Sequence, residues 1–171
     1  MLNKENYKDK KSLVIYFSRA DENYAVGFID KGNTEIIAEY ISEITGANLF
    51  KVEPKIPYAK DYDHAIEEAK VRQASHEAPI VQEVPDLLDY EVIYVGSPVY
   101  WDVMPEELVT ALKTKDFSGK IIRPFITHEG SGLGNIPNQL KSVCFGAIVI
   151  EGLAIRGSAV KTSRAIVEAW I

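Results

Sequence analysis

A single cysteine, Cys144, stands in 171 residues, which leaves no material for an intramolecular disulfide or a thiolate metal cluster. With one thiol, a reducing cytoplasm is the expected setting, and Cys144 beside Phe145 reads as a small buried hydrophobe. Long apolar runs are missing as well. Nothing approaches the ~18 residues of a membrane span, and Met1 to Lys11 is polar and charged with no apolar signal-peptide core. Residues 1–11 are therefore expected to be a frayed tail, and no membrane insertion is expected. Positive charge is in the minority: the net charge is −6 and the pI near 5.1, which argues against nucleic acid or an anionic membrane and leaves room for a basic partner protein. The three histidines include His64 and His76 on one predicted helix face without a second ligand at metal spacing, so no metal site is expected. There is no internal repeat or low-complexity linker, and 12–171 is expected to form one domain.

What is present is an alternation of strand and helix signals. Leu13 to Phe17 and Val92 to Val95 are apolar, β-branched-rich runs without polar alternation, the pattern of parallel strands covered on both faces. Asn48 to Val52, Lys120 to Thr127 and Gly146 to Ile150 supply three more strands, Pro124 implying an interruption or an exposed backbone position in the fourth. Ile36, Ile37, Tyr40, Ile41 and Ile44 mark a helix face that opens at Asn33 or Thr34 as N-cap and stops at Gly46. Further helices are predicted over 61–77, with Tyr62, Ile66 and Ala69 inward, and over 105–114, with Pro105 at the first helical position. The last two are predicted over 137–142 and 158–170, the latter with Val160, Ile166, Val167 and Trp170 on one side. Five alternations predict a doubly wound, three-layer α/β/α domain on a five-stranded parallel sheet.

Three loops leave carboxyl ends of these strands, the edge where open α/β sheets bind ligands. Ser18 with Gly32, Asn33 and Thr34 offers hydroxyls, an amide and the free N–H groups of a helix start, a way to hold a phosphate without metal. Pro98, Val99, Tyr100 and Trp101 place large π faces beyond the central strand. Thr127, His128, Glu129, Gly130, Ser131 and Gly132 form a glycine-rich turn whose backbone N–H groups can approach a ligand closely. Together these suit a mononucleotide with a flat heterocycle, namely FMN. Two other readings fail on residues. The near phosphate loop from Gly27 to Thr34 has Asn33 where a triphosphatase needs lysine, and Glu129 fills a glycine position that a hydrolase nucleophile elbow around Ser131 requires.

On Ser18, Asn33 and Thr34, then Pro98 with Tyr100 and Trp101, then Thr127 to Gly132, the chain resembles the flavodoxin family from Ser12 to Trp170. The resemblance implies strand order 2-1-3-4-5 and FMN in the crevice between the first and third strands, the family being the standard example of that rule. It implies phosphate ligands at Ser18, Asn33 and Thr34, an aromatic wall at Tyr100 and Trp101, and the ring's pyrimidine edge at 127–132. The segment 19–31 lengthens the first loop and is expected to cover phosphate or flavin, with Arg19 and Lys31 as charge partners. No glycine lies between Pro98 and Pro105 to allow the peptide flip toward flavin N5 known in carrier flavodoxins. The expected function is electron carriage between redox partner proteins. The alternative is an FMN-dependent reductase passing electrons from NAD(P)H to a quinone or similar acceptor, with His128 and Tyr100 as proton donor or acceptor-binding groups.

Overall fold

The computed structural model describes residues 5–171. The central strands are β1 (Ser12–Tyr16) and β5 (Val92–Pro98), both buried nearly throughout, as their unalternating apolar runs predict. They pair in parallel, with β4 (Asn48–Lys51) on the far side of β1 and β6 (Ile121–His128) on the far side of β5. The order β4-β1-β5-β6-β7, with β7 at Ile148–Val149, is the predicted doubly wound order. Among the described residues the sheet has six strands rather than five, because β8 (Leu153–Arg156) takes over from β7 along β6.

Pro124 explains the handover, though not in the way the sequence suggests. It is buried inside β6, opposite Val95, so β6 itself is unbroken. The carbonyls of Lys120 and Ile122 accept N–H groups from Ile148 and Ile150, so alternation turns residue 124 toward the same outer neighbour. Proline offers no N–H there. The outer strand breaks at that level, where Gly152 approaches so closely that an added Cβ would lie 3.3 Å from the Pro124 carbonyl oxygen.

Both faces of the sheet are covered. Leu13, Ile15, Ile93, Val95 and Ile126 meet Leu108, Leu112, Ile136 and Leu140 of α3 (Glu106–Leu112) and α4 (Ile136–Val143). Val14, Tyr16, Tyr94 and Phe125 meet Ile37, Ala38 and Ile41 of α1 (Asn33–Thr45) and Val167 of α5 (Arg164–Trp170). The segment predicted as one helix over 158–170 is a 3-10 turn (Gly157–Thr162) followed by α5, since buried Ser163 bonds its hydroxyl back to the Val160 carbonyl at 2.7 Å. Ile166 is exposed in consequence. Pro105 caps α3 from outside instead of occupying its first turn.

In the expected tail, residues 1–4 lie outside the described residues. Tyr7 packs against the second core, with the buried Arg123 guanidinium 4.7 Å from its ring and 4.1 Å from that of Trp170. Arg123 also donates to the carbonyls of Trp170 and Ile171 at 2.7 and 3.2 Å, so residue 7 and the 170–171 end share one cation. No helix among the described residues is long and apolar enough to cross a membrane.

Gly96 sits where β5 delivers its loop, and a Cβ there would meet the Phe125 ring at 2.1 Å. Gly96→Ala should lower stability by about 1–3 kcal/mol through overpacking, read as a fall in the urea midpoint. An unchanged midpoint would remove this account of the β5–β6 contact.

Candidate functional site

At the carboxyl edge of β1, Ser18 turns back onto the start of α1. Its Oγ accepts the Glu35 N–H at 3.1 Å, capping the helix from another element. The N-cap position is Gly32, not Asn33 or Thr34, and Gly32 makes no side-chain cap. A Cβ on Gly32 would lie 2.0 Å from Ser18 Oγ and 2.9 Å from the Arg19 carbonyl, so glycine is what admits the serine. As first-turn residues, Asn33 and Thr34 have N–H groups without a helical acceptor. Thr34 Oγ1 meets Thr127 Oγ1 at 2.7 Å, both residues buried, which clasps the first loop to the third.

The segment 19–31 forms a small antiparallel hairpin, β2 (Asp21–Asn23) and β3 (Gly27–Ile29). Arg19 is committed to backbone: its guanidinium donates to the carbonyls of Glu22, Ala59 and Lys60 at 2.5, 2.7 and 2.8 Å. Lys31 is turned away, paired with Glu39 of α1 at 2.7 Å, so it is no charge partner for a ligand in the cleft. The hairpin is fixed to the start of α2 (Tyr62–Ser75), where Glu22 accepts the Tyr62 N–H at 2.8 Å and the Tyr24 and Tyr62 rings lie 5.7 Å apart.

The second loop is a tight turn. Tyr100 and Val103 exchange backbone hydrogen bonds at 2.8 and 3.3 Å, with Trp101 and Asp102 between them. The Tyr100 ring packs edge-on against Phe17 and Tyr58 at 5.8 and 5.9 Å, and burial pushes its phenol pKa up. Trp101 is half exposed, its Nε1 donating to the Ile66 carbonyl of α2 at 2.9 Å and its ring 5.3 Å from the Lys70 ammonium.

In the third loop His128 Nδ1 accepts the Gly130 N–H at 2.9 Å, which places the imidazole proton on Nε2. Partial burial, and then Arg156, its register neighbour on β8, hold the His128 pKa below the ordinary value. The Glu129 carboxylate reaches back toward the start of α1. A Cβ on Gly157 would stand 2.0 Å from Glu129 Oε1 and 2.6 Å from Asn33 Nδ2.

These loops enclose one cleft of about 380 Å³. Ser18, Arg19, Asn33, Thr34, Pro98, Val99, Tyr100, Trp101, Thr127, His128, Glu129, Gly130 and Ser131 all line it. Gly32 and Gly132 do not: the first admits Ser18, and the second shapes the turn with φ 61°. The segment 19–31, expected over the cleft, supplies Asn23 and Tyr24 to its lining, whereas sequence reading missed the wall that α2 makes with Tyr62, Ala65, Ile66 and Ala69. The signal available was the helical spacing of Ala65 and Ala69, small residues that leave room. Two buried polar atoms on cleft-lining residues lack a partner, Arg19 Nε and Glu129 Oε1. One is a donor and one an acceptor, so the site fits a ligand that carries both anionic or carbonyl oxygens and hydroxyl or N–H donors.

A flavodoxin family model matches residues 11–171. The fold is shared with a candidate flavoprotein from Bacteroides uniformis ATCC 8492, at TM-score 0.74 and 23% identity over 95% of this chain and 97% of that one. A flavoprotein from Lactobacillus acidophilus NCFM in complex with FMN gives 0.64 at 23% identity, over 90% and 97%. An azoreductase from Bacillus anthracis str. Sterne gives 0.50 at 11%, over 93% and 99%. At such identities the likeness is one of fold. No curated protein sequence matches the chain.

The His128 arrangement has a pH signature. A folded-state pKa held below the unfolded value means the unfolded chain takes up the proton first as pH falls. The neutral ring's contribution is therefore complete above the unfolded value of about 6.5 and is lost as pH drops toward the folded one. Across urea titrations from neutral to mildly acidic pH, wild type should lose stability relative to His128→Asn, which keeps an acceptor for Gly130 without titrating. Parallel pH curves for the two proteins would contradict this.

Proposed function

Because this chain belongs to the flavodoxin family, we propose that it binds FMN and carries electrons between partner proteins in a reducing, cytoplasmic setting. The observation that carries the reading is the convergence of a helix start, an aromatic turn and a glycine-rich turn on one cleft. FMN, once bound, supplies the electron chemistry, and the protein's own part is binding, orientation and electrostatics. The N–H groups of Asn33 and Thr34, with the Ser18 and Thr34 hydroxyls, suit the phosphate, and the helix dipole favours its charge. Glu129 Oε1 accepts but cannot donate, which suits a ribityl hydroxyl and repels a phosphate that slides too far along the cleft. Trp101 and the α2 wall of Tyr62, Ala65, Ile66 and Ala69 suit the flat ring.

Exposed Asp63, Glu67 and Asp102, near the α2 wall and the second loop, favour a basic docking surface on a redox partner, in keeping with the net charge of −6. One observation favours the second reading, a reductase of quinones or similar acceptors using NAD(P)H: neutral His128 lines the cleft and keeps its Nε2–H to donate a hydrogen bond to an acceptor's carbonyl oxygen.

Ligand-free protein should turn yellow with FMN and bind it well above riboflavin, since the phosphate contacts are lost with the latter. Trp101→Ala should weaken FMN binding by about 1 kcal/mol or more through lost stacking, measured by flavin fluorescence titration. A folded sample that binds no FMN would end the redox reading. A flavin-loaded sample should not oxidise NADH or NADPH with a quinone on its own, and steady turnover would transfer the assignment to the reductase.

A further inference from the structure

Trp101 and Asp102 have φ of 52° and 71°, consecutive non-glycine residues in the left-handed region. They occupy the two central positions of the turn closed by Tyr100 and Val103, where the chain needs positive φ twice and Asn-Gly would serve without strain. Strain of this kind persists only where the surroundings over-determine it. Gln73 of α2 donates through Nε2 to the Tyr100 carbonyl at 2.7 Å and to the Met104 carbonyl at 3.3 Å, so one amide grips both sides of the turn. The Ile66 carbonyl, about two turns earlier on the same side of α2, holds the Trp101 indole. From the other side α4 contributes Gln139, which accepts the Met104 N–H at 2.8 Å, and its N-cap Asn135 donates its N–H to the Asp102 carbonyl at 2.8 Å.

Gln73 is not among the residues lining the cleft, yet it holds the residues that do. We propose that Gln73 is a positioning residue for the second loop, fixing the strained turn so that the Trp101 ring and the backbone N–H groups of Trp101 and Asp102 meet the cofactor in one geometry. This rests on the FMN reading for its ligand, but the brace itself is a property of the protein alone. The donor must be the amide nitrogen, because both partners are carbonyl oxygens. Alanine at position 73 keeps α2 helical, being the best helix former, and removes only the grip. Glycine at position 102 relieves the strain that the grip opposes, since glycine takes positive φ without penalty.

Three proteins decide the matter: wild type, Gln73→Ala, and the double variant Gln73→Ala with Asp102→Gly. In Gln73→Ala the FMN Kd should rise about fivefold or more, as expected when a supporting shell is loosened, and the reduction potential should move from the wild-type value. The Val103 amide, which donates to the Tyr100 carbonyl, should exchange its hydrogen faster in the ligand-free protein. In the double variant all three readings should return toward wild type. A Kd that rises less than this, an unmoved potential, or a loss that glycine at 102 fails to restore overturns the proposal. Should wild type take up no FMN, the cofactor reading fails separately, and Val103 exchange in ligand-free Gln73→Ala and the double variant decides the brace.

Discussion

The close approach of Ser18 to the first turn of α1 is the constraint from which the site follows. A serine at the end of a buried strand can cap a helix that begins many residues later only if nothing stands between them, and Gly32 supplies that space. Once the helix start is fixed against β1, Thr34 is carried to Thr127, and the third loop is held against the first. Glu129 then folds back along Gly157 toward Asn33. Loops from β1 and β6 are thus set by a few short polar contacts that tolerate no added carbon at either glycine.

The element that ties the remaining pieces together is α2. Its start accepts the hairpin through Glu22 and Tyr62, its middle holds Trp101, and its last turns grip the second loop through Gln73. The same turn is anchored from behind, where Arg72 donates to buried Glu107 of α3 at 2.5 Å and stacks over Tyr58, whose hydroxyl bonds the same carboxylate at 2.8 Å. A buried ion pair of this kind is a weak source of net stability but a strict determinant of register. Here it fixes the rotation of α2, and with it which residues face the cleft.

The strands were legible because burial on both faces leaves an unalternating apolar run, as in Leu13 to Phe17 and Val92 to Val95. The three loops were legible because their chemistry is local: hydroxyls before a helix, aromatics after a strand, glycines in a turn. What stayed hidden depends on partners distant in sequence. Lys31 looks like a phosphate partner until α1 places Glu39, eight residues on, beside it. The β2–β3 hairpin carries no apolar alternation and turns through Asp21 and Ala25 at positive φ, where sequence would lead one to expect glycine. Pro124 signals an interruption, but only the pairing shows that the neighbour breaks and β6 does not.

That handover from β7 to β8 bears on how the molecule meets its own copies. An intact outer strand would present a continuous ladder of unpaired donors and acceptors to any passing chain, the usual template for edge-to-edge assembly. Here the margin is cut into pieces of two and four residues, and the opposite margin, β4, is itself four residues long and ends in Lys51. Neither side offers enough uninterrupted backbone to recruit a foreign strand, so one imino acid inside the sheet guards its border against aggregation.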